Sequence, residues 1–160
     1  MSTPRPREDE RKTYERPHVL IVTDDPSLIE FLGEGLVMGG FWTSVISHGL
    51  QVLEVFRLRT FALIVVDRDL STFDAIELIE RLRGYSTQAA AGDARTDKAV
   101  VIISSDDPHL SAEDSERLGI AKTLQAPIEL EDVVRALHEV FAAWRDAHPD
   151  APLADATPGS

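Results

Sequence analysis

Cysteine is missing from all 160 residues. That excludes disulfides, thiolate catalysis and Cys-type zinc sites, and it fits a reducing cytosol. Basic residues are scarce: 16 Lys and Arg stand against 28 Asp and Glu, a formal net charge of −12. Nucleic acid and anionic lipid need a concentrated basic surface, so neither is expected as the main partner. No apolar run approaches the roughly 20 residues of a membrane helix. The opening MSTPRPREDERKTYERP has no apolar segment of the secretory type. The five histidines show no metal-ligand spacing.

What is present is 43% hydrophobic residues, enough for one domain with a core. Residues 1–16 read as a flexible arm. Residues 146–160, rich in Ala, Pro and Asp, read as a disordered tail. Between them, apolar β-branched runs alternate with helical periods. Val19 to Val22, FWTSVIS (41–47), FALIVV (61–66), VVIIS (100–104) and AKTLQ (121–125) read as strands. The first helix begins at Asp25-Pro26, with Asp as cap, carries Leu28, Leu32 and Leu36, and ends at Gly39-Gly40. A second spans 49–59 with Leu50, Leu53 and Phe56 on one face. A third is capped by Ser71 or Thr72 and repeats Ile76, Ile79 and Leu82. A fourth runs from Asp107-Pro108 to Leu118, and a long amphipathic fifth carries Leu130 through Trp144. Residues 84–99 form a polar loop. Five βα units with right-handed crossovers make an α/β doubly wound parallel sheet, whose ligand site lies beyond the carboxyl ends of the strands.

Those ends carry the chemistry. ALIVVDRDL (62–70) and VLIVTDD (19–25) pass from buried-looking strands straight into acids, and VVIISSDD (100–107) into hydroxyls and acids. Asp24 and Asp67 at neighbouring strand ends would repel, so either one pKa rises or a divalent cation binds between them. Hard oxygens with room for water suit Mg²⁺. Asp67 is then a candidate nucleophile toward phosphorus, ionised already and needing no base, and Ser104 a candidate donor to a phosphoryl oxygen.

Four stretches, HVLIVTDDPSLIEFL, FALIVVDRDLSTFDAIELIERLR, AVVIISSDD and LGIAKTLQAPIELEDVVRALHEVF, resemble the receiver domain of bacterial two-component response regulators over about residues 17–145. The resemblance implies a flavodoxin-like (βα)₅ fold of strand order 2-1-3-4-5. It implies that Asp67 is the phosphoacceptor, Asp24 a direct Mg²⁺ ligand, Asp69 a ligand through its backbone carbonyl, and Ser104 the hydroxyl that follows the phosphoryl group. Pro127 matches the proline that follows a cis peptide.

The chain also departs from the family pattern. Thr23 stands where the first of two acids is usual, Ala126 where a lysine is usual, Thr123 at the aromatic switch position, Ser71 at a usual proline and Ala75 at a usual glycine. Lys122 begins the fifth strand and lies on the order of 13 Å from the lysine position, at 3.3 Å per residue. Arg68 is the other basic residue beside the site in sequence. Only 16 residues follow Trp144, too few for an output module.

The expected function is therefore a stand-alone cytoplasmic receiver. It is not an enzyme in its own right. It takes phosphate on Asp67 from a histidine kinase or phosphotransfer protein, with Mg²⁺, and signals to a downstream protein by contacts around the fourth helix, fifth strand and fifth helix. A homodimer through the last helix is compatible with the pattern. The alternative is a degenerate receiver that binds a partner without phosphate chemistry, motivated by Thr23 and Ala126. An enzyme on the same fold ranks last, because no Gly-rich phosphate cradle follows the first strand.

Overall fold

The computed structural model describes residues 16–56, 58–85 and 96–151. The elements in chain order are β1 (His18–Val22), α1 (Pro26–Met38), β2 (Trp42–Ile46), α2 (Gly49–Val55), β3 (Leu63–Asp67), α3 (Ala75–Arg83), β4 (Ala99–Ser104), α4 (Ala112–Leu118), β5 (Ile120–Gln125) and α5 (Leu130–Ala147). All strand pairs are parallel, in the order β2-β1-β3-β4-β5. This is the flavodoxin-like (βα)₅ architecture expected from the sequence.

The sheet's two faces follow the two-residue strand period. Leu20, Val22, Ile64, Val66, Val100 and Ile102 pack with Val52, Leu53, Leu78, Ile79 and Leu82, under α2 and α3. The alternate residues Val19, Ile21, Leu63, Val65, Val101 and Ile103 pack with Leu32 and Leu36 of α1 and with Val133, Leu137, Val140 and Trp144 of α5. Each fully buried Leu, Ile or Val contributes about 1.5–3 kcal/mol. Every residue of β1, β3 and β4 is buried, whereas the edge strands β2 and β5 are only partly covered.

Several local expectations are corrected. Neither Ser71 nor Thr72 caps α3. Asp74 does, its carboxylate accepting from the Glu77 amide at 2.9 Å. Ser71 instead donates to Asp24, and Thr72 Oγ1 donates to the Ser47 carbonyl at 2.7 Å. Asp107 does not open α4. Its carboxylate closes a turn onto the His109 amide, His109 has φ of 53°, and Ser111 caps the helix. In α2, Val52 and Leu53 face the core while Leu50 is 56% exposed. Residues 146–151, read as tail, continue α5 to Ala147. His148 then stacks on Trp144 at 4.1 Å and Ala151 packs against the core. Arg16 lies over the Trp42 ring and donates to the Val37 carbonyl. The remainder of the expected arm (1–15), most of the polar loop (86–95) and tail residues 152–160 fall outside the described residues.

Candidate functional site

Register brings the site together. Val22 pairs with both Ile46 and Val66, so the next residues, Thr23 and Asp67, leave adjacent strands side by side. Asp67 pairs with Ile103, which places Ser104 one step beyond. Three consecutive central strands thus deliver Thr23, Asp67 and Ser104 to one end of the sheet, and all three are buried. A cavity of about 570 Å³ opens there, with Asp24, Asp67, Asp69 and Ser104 in its lining. Its apolar wall is Leu28 and Phe31 of α1 with Ile103 and Ile128, and Ala126 and Pro127 close the far side. The Ala126–Pro127 peptide is cis.

Asp67 is held at both oxygens. Thr23 Oγ1 donates to Oδ2 at 2.7 Å, and the Asp69 amide donates to Oδ1 at 2.8 Å. Burial pushes the Asp67 carboxyl above the ordinary range; the two hydrogen bonds oppose that shift, and the Asp69 and Asp24 charges add to it. Asp24 shifts the other way. Ser71 donates to its Oδ2 through both the backbone amide, at 3.0 Å, and the hydroxyl, and this holds the exposed carboxyl low. Asp69 accepts from the Ser105 amide and hydroxyl, each at 2.9 Å. Ser104 Oγ donates to the Asp106 carbonyl at 2.5 Å. Asp25 caps α1, accepting from Ser27 N at 2.9 Å.

Among the described residues no Lys, Arg or His appears in the lining. Lys122 lines a cavity at the opposite end of β5, beside Arg83 and Trp144. Arg68 is partly buried and donates to the Pro108 carbonyl at 3.2 Å. The three aspartates supply hard oxygens and the cavity has room for water, a donor set that suits Mg²⁺ in kind. It is not a finished cage: among the described residues no three acidic or imidazole side chains converge as a metal group. Asp24 and Asp69 are each engaged by a serine instead.

The sequence did not reveal these engagements. Thr23, which stands where the first of two acids is usual, is a donor to Asp67. Ser71 and Ser105 were not singled out as carboxylate partners. Their carboxylates lie 47 and 36 residues away in sequence, so no local pattern signals them.

Among the described residues no helix is long and apolar enough to cross a membrane. No protein-family model and no curated protein sequence matches the chain. Solved structures do. A sensor protein from Polaromonas sp. JS666 is 29% identical with a TM-score of 0.68, covering 80% of this chain and 98% of its own. A response regulator receiver domain (CheY-like) from Methylobacillus flagellatus is 22% identical with a TM-score of 0.63, covering 78% and 98%. Full-length FixJ from B. japonicum is 21% identical with a TM-score of 0.66, covering 84% of this chain and 60% of its own. Over most of its length, the chain has the fold of the CheY-like response regulator receiver domains.

Proposed function

We propose that the protein is a receiver module of a two-component phosphorelay that accepts a phosphoryl group on Asp67 and signals through protein contacts. One observation carries this reading: Asp67 is a buried carboxylate at a strand end, opening into a cavity it shares with Asp24, Asp69 and Ser104. Poor solvation raises its basicity, as suits a carboxylate nucleophile. An Asp67 oxygen lone pair forms the new O–P bond while the bond from phosphorus to the donor breaks. With a phosphohistidine donor the electron pair goes to the imidazole nitrogen, and no proton leaves Asp67. Ser104, released from the Asp106 carbonyl, can donate to a phosphoryl oxygen. Asp24, Asp67 and the Asp69 backbone carbonyl are the residues that would hold Mg²⁺. Bound there, the ion supplies positive charge against the phosphoryl oxygens. Asp24 must then share or release its Ser71 bonds. The donor class is a histidine kinase or phosphotransfer protein, which carries with it a bacterial, cytoplasmic setting.

A second reading is favoured by the Thr23–Asp67 hydrogen bond and by Ala126: a receiver fold that binds a partner in one fixed state. Mass spectrometry after acetyl phosphate and Mg²⁺ separates the two. An adduct that disappears in Asp67→Asn supports phosphorylation. No adduct, or one that survives the substitution, overturns it and leaves the fixed-state module.

A further inference from the structure

The opposite pole of the sheet holds a further cavity, of about 580 Å³, near the start of β3 and β4. Arg59, Thr60, Thr96, Asp97, Lys98 and Trp144 are in its lining. Two of the lining side chains, Arg59 and Lys98, are cationic. The Arg59 guanidinium reaches within 5.9 Å of the Phe61 ring centre, yet its Nε and Nη2 are buried and make no hydrogen bond. Those two nitrogens are the fork that takes a carboxylate or phosphate through two parallel bonds. Burying such donors unpaired is expensive, and an unsatisfied group of this kind calls for an occupant. Lys98 stands close by, its Nζ 3.9 Å from the Trp144 ring centre. Desolvation lowers the Lys98 pKa, with Asp97 opposing and Arg145 adding. The acid in the lining, Asp97, has a side chain 73% exposed and lies 4.0 Å from His148 Nε2. It does not hydrogen-bond the Arg59 fork, whose Nε and Nη2 have no hydrogen-bond partner among the described residues.

We infer that the cavity between Arg59 and Lys98 is a binding site for a small oxyanion, the carboxylate or phosphate group of a ligand. Arg59 is its principal donor and Lys98 its second cation. The site is at the far end of β3 from Asp67 and does not depend on phosphate chemistry there. The Arg59 fork is buried, so the site requires the side chain to turn toward the cavity for an anion to reach it.

The test is nitrogen-edited NMR of the full chain, following the Arg59 Nε–H signal. Inorganic phosphate and acetate are titrated separately against chloride at matched ionic strength. A saturable millimolar shift of that signal, together with the Thr96 and Lys98 amides, is expected. It should be lost in Arg59→Met and kept in Asp67→Asn. The anion that gives the tighter midpoint identifies the group the site prefers. Thermal denaturation provides a second readout: phosphate or acetate raises the midpoint of the native chain above the chloride control and leaves that of Arg59→Met unchanged. No saturable shift with either anion, a shift that survives Arg59→Met, or equal midpoints in all three salts would overturn the site.

Discussion

Thr23 Oγ1 lies 2.7 Å from Asp67 Oδ2 and donates its proton there, across 44 residues of sequence. The position that matches the first of the two acids in the receiver pattern instead holds a hydroxyl. An acid at that place would repel Asp67 and need a cation between them. A threonine supplies a donor and leaves the site satisfied without one. The same hydroxyl accepts the Asp25 amide at 3.1 Å, so it also fixes the start of the loop into α1.

Thr23→Val keeps the shape and removes the donor. One bond to a buried carboxylate is lost and the Asp25 amide loses its acceptor. Stability at neutral pH should fall by about 1–3 kcal/mol. Urea unfolding should show a lower midpoint at an unchanged slope. Since the Thr23 bond lowers the Asp67 pKa, the variant should titrate Asp67 higher still, a shift readable by carboxyl-carbon NMR.

Asp67 also sets a pH dependence. Its folded pKa is raised above the ordinary 3.8, first by burial. The folded protein therefore keeps a proton where the unfolded chain has lost it, and the Asp67 contribution to stability falls as pH rises from 3.8 through the raised value. Asp24 has the opposite sense: its pKa is lowered, so its contribution is present above 3.8 and is lost as pH falls through the lowered value. The stability difference between Asp67→Asn and the native chain should accordingly shift in favour of the variant as pH rises from 3.8 through the raised value. Urea midpoints across that range check it; a gap that stays constant with pH would remove Asp67 as its source.

The fold was legible because its signals are local. Continuous Val and Ile runs mark β1, β3 and β4, and helical spacing marks α1 and α5. Two helix starts misled, since an acid before a proline or near a serine is the same signal whether it caps a helix or closes a turn. Asp107 spends its carboxylate on the His109 amide, and Asp74 rather than Ser71 meets the first turn of α3. The acids of the site could be listed from the sequence, but not their partners. Thr23, Ser71 and Ser105 reach carboxylates 36 to 47 residues away, a relation fixed only by strand register. Arg59 gave no signal, because donors left without an acceptor are visible only once the residues around them in space are known.

The seam between α1 and α5 offers a packing test. A Cβ added at Gly39 would lie 2.6 Å from Val134 Cγ2 and 2.9 Å from Cγ1. Valine is stiff at χ1 and cannot swing aside. Gly39 itself has φ of −87°, so backbone strain plays no part. Gly39→Ala should destabilise by about 1–3 kcal/mol through overpacking. Adding Val134→Ala should recover part of that loss, a non-additivity that a double-mutant cycle in urea would measure.

Ala126 stands at the position where the resemblance to receiver domains implies a lysine. Its amide donates to the Ser104 carbonyl at 2.8 Å, so the end of β5 is tied to the strand that carries Ser104. The residue is exposed and lines the cavity with Asp67, which leaves room for a longer side chain without disturbing the core. Ala126→Lys should bring an ammonium to the Asp67 carboxylate and lower its pKa toward or below the ordinary value. If Asp67 takes a phosphoryl group, the added cation should raise the yield and lifetime of the acetyl phosphate adduct, followed by mass spectrometry over time. The gain should vanish in Ala126→Lys combined with Asp67→Asn. A lowered Asp67 pKa with no gain in adduct would show that the ammonium reached the carboxylate and that charge was not what limited the reaction. The defect would then lie with the engagement of Asp24 by Ser71, and Ser71→Ala would be the substitution to add.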